Sequence, residues 1–96
     1  MAAVRTHRYT VDTGNLDAML EQRNALITGI RSANPAFSGA TLVRLEDGSY
    51  LDIWRWESAE DMRRAAEAAA KVPLVGATLS LTTGHTTLDG EVLDER

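Results

Sequence analysis

Three of the five aromatic side chains in this sequence, Tyr50, Trp54 and Trp56, fall within seven consecutive positions, and Asp52 stands among them. Successive side chains of a strand point to opposite faces. In a strand over Tyr50 to Trp56, the residues Tyr50, Asp52, Trp54 and Trp56 therefore share one face, and Leu51, Ile53 and Arg55 the other. Two neighbouring indoles offer a stacking surface for a flat ring. A carboxylate beside them is costly to bury alone, so Asp52 is paired, with Arg5 or Arg23 in reach, or exposed at a strand edge, or functional. His7 and His85 are the only histidines. Imidazole is the side chain that titrates closest to neutral pH, so either is a candidate base.

Other chemistries are set aside by what the sequence lacks. It has no cysteine, which excludes disulfides, thiolate metal sites and a Cys nucleophile and fits a reducing, cytoplasmic setting. There is no Walker A loop, GxGxxG, GxSxG or HExxH pattern, and Gly76, Gly84 and Gly90 are too scattered to cradle a phosphate. A metal site would need His7, His85 and carboxylates to converge from separate strands, so none is expected. Ten Lys and Arg against fourteen Asp and Glu give a net charge of -4, no footprint for nucleic acid or anionic lipid. No apolar run is long enough to span a membrane.

The elements that must position these residues are legible in the periodicity. The 96 residues suit a single domain over 1–96, small enough that pairing with a second copy is the economical way to cover a sheet face. Val4 to Val11 reads as a first strand. A helical stripe follows, Leu16, Met19, Leu20, Leu26, Ile27 and Ile30, broken only by Arg23, with Asn15 as its N-cap and Asn34-Pro35 as its stop. Ser38 to Glu46 is a second strand, Asp47-Gly48 a hairpin turn and Tyr50 to Trp56 a third strand. Ser58 and Asp61 resemble a capping box for a second helix that runs to about Val72. Its inner face, Met62, Ala65, Ala66, Ala69 and Val72, is thin. Such a helix either approaches the indoles closely or leaves a flat cavity beside them. Pro73 to Leu81 is ambiguous between helix and loop, and Thr82 to Leu93 reads as the last strand. The order βαββαβ predicts an α+β, ferredoxin-like fold: an antiparallel four-stranded sheet with the helices on one face and a second copy on the other.

The run Asn34-Pro35-Ala36-Phe37-Ser38-Gly39-Ala40, a strand, Asp47-Gly48, a second strand, then Trp56-Glu57-Ser58 resembles the antibiotic biosynthesis monooxygenase family. The resemblance implies a dimeric α+β barrel. In the family's cofactor-free branch a pocket Trp precedes Glu-Ser, which Trp56 matches; that branch has an Asn four residues earlier and a Tyr six residues later, where this sequence has Asp52 and Met62. The haem-degrading branch requires an Asn on the first strand, near His7, and an iron-binding His on the second helix, where Ser58 to Val72 has none.

Two functions follow. The first is a cofactor-independent monooxygenase acting with molecular oxygen on a flat phenol, quinol or polyketide-like aromatic. His7, Asp52 and Trp56 are then the catalytic candidates, and Tyr9, Tyr50, Trp54 and Met62 the substrate-binding ones. An aspartate, with an ordinary pKa of about 3.9, takes a phenol's proton only if burial raises it, so His7 is expected to be the better base. The second is a non-catalytic homodimer that holds a flat apolar ligand.

Overall fold

The computed structural model describes residues 1–69, 71 and 73–96. In chain order these form β1 (Ala3–Thr10), a 3-10 turn (Thr13–Asn15), α1 (Leu16–Ala33), β2 (Phe37–Arg44), β3 (Tyr50–Trp56), α2 (Ala59–Ala69), α3 (Pro73–Leu79) and β4 (Thr83–Glu91). The strands make one antiparallel sheet in the order β2-β3-β1-β4. This is the expected ferredoxin-like α+β arrangement with one addition, since the ambiguous segment after Pro73 is helical. Val72, expected on the inner face of the second helix, lies outside the described residues.

Local chemistry sets the boundaries. Asn15 makes no side-chain cap to α1; instead the 3-10 turn, closed by the Asn15 amide donating to the Asp12 carbonyl at 2.8 Å, leads straight into the helix. At the other end Asn34 Nδ2 donates to the Ile30 carbonyl at 2.8 Å, satisfying one of the acceptors that a helix end leaves open. β2 stops at Arg44, two residues short of the expected Glu46, because Leu45 and Ser49 close the turn, with Gly48 at φ +86 and Asp47 Oδ1 accepting from the Ser49 amide at 2.9 Å. Ser58 Oγ accepts from the Asp61 amide at 3.1 Å and so caps α2. The short Asp61 side chain reaches only the Ser58 hydroxyl, at 2.6 Å, which makes half of a reciprocal box.

The face of β3 that carries Tyr50, Asp52, Trp54 and Trp56 is buried along its whole length, and it faces the helices. Two apolar clusters lie on it. Ala3, Leu26, Phe37, Trp54, Trp56, Met62 and Ala65 form the larger; Tyr9, Met19 and Tyr50 form the smaller, around the fully buried Met19. Asp52 sits between them, only 4% exposed. Arg23, the one break in the apolar stripe of α1, supplies its partner: Nε donates to Oδ2 at 2.9 Å and Nη2 to Oδ1 at 2.8 Å. The Tyr9 hydroxyl donates to Oδ2 at 2.9 Å. Burial and the adjacent carboxylate push the Tyr9 phenol above its ordinary range.

On the opposite face Leu51, Ile53 and Arg55 are half-buried, while Val43 and Leu88 are exposed. Ile53 and Leu88 both pair with Thr6, which places them in one row across the sheet. Arg55 finds a carboxylate within its own chain, donating to Glu95 of the C-terminal tail at 2.7 and 2.6 Å.

A buried ion pair that loses one member leaves the other charged and unsolvated. Asp52→Ala should therefore cost about 3–5 kcal/mol, whereas Asp52→Leu combined with Arg23→Met should lie much nearer the wild type; thermal denaturation of the three proteins checks this.

Candidate functional site

Of the two ways in which an alanine-lined helix can meet two indoles, the chain adopts the open one. A cavity of about 360 Å³ lies between the sheet and the helices. Trp54 and Trp56 of β3 form its floor and are held from behind by Phe37, whose ring lies 5.4 and 5.0 Å from theirs. Met62, Ala65, Ala66 and Ala69 of α2 form one wall, and Leu26 and Ile30 of α1 and Val75 and Leu79 of α3 complete the enclosure. Leu79 remains 42% exposed and marks the rim. The space exists because methyl groups stand opposite bicyclic rings. A smaller cleft of about 150 Å³ shares Leu26, Ile30, Ala65 and Ala69 with it and runs between α1 and α2.

The polar end of the cavity is made by Arg5 and His7 of β1. Arg5 donates to Asp89 of β4 through Nε at 2.6 Å and Nη2 at 2.9 Å. That pairing raises the Arg5 pKa and lowers that of Asp89. His7 Nδ1 lies 2.9 Å from Nε2 of His85, with the ring planes 22° apart and the centroids 4.9 Å apart. His85 stands diagonal to His7 on the same face of the sheet, two residues from His7's register partner Thr87, and a bulge in β4 follows directly. Arg8 pairs with Thr86 and Thr10 with Thr83, so two residues, Gly84 and His85, stand opposite Tyr9 alone. Gly84 takes φ +64, as a bulge of this kind requires.

Burial, then the neighbouring His85 and, more weakly, Arg5 pull the His7 imidazole down to about 4. His7 is neutral at pH 7, and its imidazolium is as acidic as an ordinary carboxylic acid. The expectation that it outperforms an aspartate as a base therefore does not hold for the ring alone, because burial penalises the imidazolium that the reaction would form.

Of the residues singled out from the sequence, His7, Trp54, Trp56 and Met62 meet around the cavity. Tyr9, Tyr50 and Asp52 do not. Asp52 and Tyr9 are consumed by each other and by Arg23, and Tyr50 packs in the smaller cluster. Sequence reasoning missed Arg5 as a cavity residue, although its alternation with His7 on β1 was a usable signal. It weighed Arg5 as a partner for Asp52; the actual partner, Asp89, is its register neighbour on β4. Among the described residues no three His, Asp or Glu side chains are grouped to hold a metal ion.

The low pKa of His7 is also a statement about stability. Folded His7 titrates at about 4, below the 6.5 of a free histidine, so between those values the unfolded chain binds more protons and the fold weakens as pH falls. His7→Gln should flatten the loss of stability between pH 6.5 and 4 and change little above it, which denaturant midpoints at stepped pH will show.

Neither a protein-family profile nor a curated protein sequence matches this chain. Solved structures do. SnoaB, a cofactor-independent oxygenase from Streptomyces nogalater, is 24% identical, with a TM-score of 0.73 over 98% of this chain and 95% of its own. Rv0793 from Mycobacterium tuberculosis is 18% identical, with a TM-score of 0.76 over 99% of this chain and 98% of its own. A variant of MhuD with two manganese protoporphyrin IX bound per active site is 24% identical, with a TM-score of 0.67 over 98% of this chain and 97% of its own. A further neighbour, an antibiotic biosynthesis monooxygenase, has a TM-score of 0.73 at 14% identity over 98% of this chain and all of its own. The chain has the ferredoxin-like α+β fold of the antibiotic biosynthesis monooxygenases.

Proposed function

We propose that this chain is a cofactor-independent member of the antibiotic biosynthesis monooxygenase family that oxidises a flat phenol, quinol or polyketide-like aromatic with molecular oxygen. The observation that carries the reading is the shape and polarity of the cavity: an apolar slot between two indoles and an alanine helix, with Arg5 and His7 at one end. The indoles stack on the ring, and the polar end receives its oxygen. The chemistry needs an ionised substrate, because an electron-rich phenolate can itself pass an electron to dioxygen. For an anthrone the balance is a ring CH2 and O2 giving C=O and water. The protein binds, orients and ionises.

A haem cofactor does not fit the residues present. Its iron would need the axial histidine that α2 lacks, and both histidines of the chain are engaged with each other at the sheet. The depressed pKa of His7 favours a second reading, in which the same slot holds a flat ligand unchanged. One experiment separates the two. Metal-free protein incubated with anthrones and hydroquinones under oxygen should consume oxygen faster than the protein-free control. Ala66→Phe, which fills the slot, should lower that rate about a hundredfold with the circular dichroism unchanged. Bound ligand recovered unaltered after long aerobic incubation would establish the second reading and end the first.

We further propose that the chain is a homodimer in which two sheets meet through the face of Leu51 and Ile53. Leu51, Ile53 and Val43, the register partner of Leu51, would form an apolar patch there, with Leu88, 75% exposed, on the far side of Thr6. Arg55 adds no unpaired charge because Glu95 neutralises it. Ile53→Asp should dissociate or unfold the protein, while Trp54→Ala should disturb the cavity and leave the assembly intact. Sedimentation equilibrium distinguishes these, and a wild-type protein that stays monomeric at micromolar concentration would refute the dimer.

A further inference from the structure

His7 by itself is a weak acceptor for a phenol's proton, and the largest part of the penalty is the desolvation of a positive charge on its own half-buried ring. His85, in contact with it, lies on β4, where every residue is exposed and a positive charge stays hydrated. We propose that His7 and His85 work as one proton-accepting couple, in which His7 takes the proton of a bound phenol and passes its other ring proton to His85, which carries the charge at the protein surface. The inference rests on the reading of the cavity as a site for a flat phenol.

The atoms are arranged for it. His7 Nδ1 faces β4, 2.9 Å from His85 Nε2 and 3.4 Å from Thr87 Oγ1. Assigning the shared proton to His7 Nδ1 leaves Nε2, on the other edge of the ring, as the lone pair for the cavity that His7 lines. The phenol O–H then breaks in favour of a new Nε2–H bond, and the Nδ1–H bond breaks in favour of a new N–H on His85 Nε2. The phenol loses one proton, His85 gains one, and no electrons change hands. His7 ends neutral and donates Nε2–H to the phenolate oxygen.

The surrounding charges suit this end state. Arg5, on the same face of β1, is balanced by Asp89 of β4. Asp52 of β3, although paired with Arg23, favours a cation on His7 during the transfer. The Tyr9 ring stacks on His85 with centroids 6.0 Å apart. The helices contribute only apolar side chains to the cavity. The register sets Thr87 opposite His7 and places His85, two residues along β4, diagonal to it on the same face, with the second imidazole within reach.

The test uses para-nitrophenol, whose anion is coloured, and its methyl ether, para-nitroanisole, under nitrogen at a pH equal to the phenol's own pKa, which lies above the ordinary value of a free imidazole. Wild-type protein should bind both and hold the phenol as its anion. His85→Ala and the more conservative His85→Asn, both at an exposed edge, should still bind para-nitroanisole normally but lower the bound anion-to-phenol ratio about tenfold, the equivalent of one pKa unit. In 15N-labelled wild type, His85 Nε2 should change from an unprotonated to a protonated nitrogen when the phenol binds. Equal ionisation in the His85 variants, or an Nε2 signal that does not move, overturns the couple and leaves the cavity reading standing. Failure to bind either compound overturns both.

Discussion

A single buried carboxylate organises this domain. Asp52 stands at the middle of the central strand's inner face, between the two apolar clusters. It cannot be dehydrated without partners, and those partners come from two other elements: Arg23 from α1 and Tyr9 from β1. The three-way contact fixes the height of α1 over the sheet. Once that height is set, Leu26 and Ile30, one and two turns beyond Arg23, stand over Trp54 and Trp56, and the cavity has its second wall. The ion pair is thus a register pin for the site, and Asp52 exerts its effect there without touching the cavity.

Much of the architecture was readable because it depends on local period. The alternation over Tyr50 to Trp56 predicts the strand with its observed bounds and its buried face. Arg23 stands out as a charged residue in an apolar helical stripe, and of the two partners the sequence offered Asp52, Arg5 and Arg23, it is the one the fold supplies. What could not be read depends on distances. Composition says that α2 presents methyl groups to indoles, but not whether the backbone closes the gap, because that is settled by how the helices seat on the sheet. The cap at Asn15 failed for a similar reason: the 3-10 turn already delivers the chain to the helix.

The pairing of His7 with His85 lay furthest from the sequence's reach. It joins positions 78 residues apart and depends on the β1–β4 register, which sets Thr87 opposite His7 and leaves His85 diagonal to it on the same face. The same register explains why Arg5 belongs to Asp89 and is unavailable to Asp52.

The alanine wall has a consequence for how such a site can change over time. A helix that borders a void loses packing energy and would ordinarily be a weak element, but alanine is the strongest intrinsic helix former and loses no side-chain entropy on folding. α2 can therefore stand with little beneath it, helped by its Ser58 cap and the exposed Glu60–Arg64 pair. Each cavity-facing alanine is also a position where one codon change to a larger residue would reshape the slot without moving the backbone. Ligand range can drift along this one helix while the Asp52 anchor, two strands' registers and the polar end stay as they are.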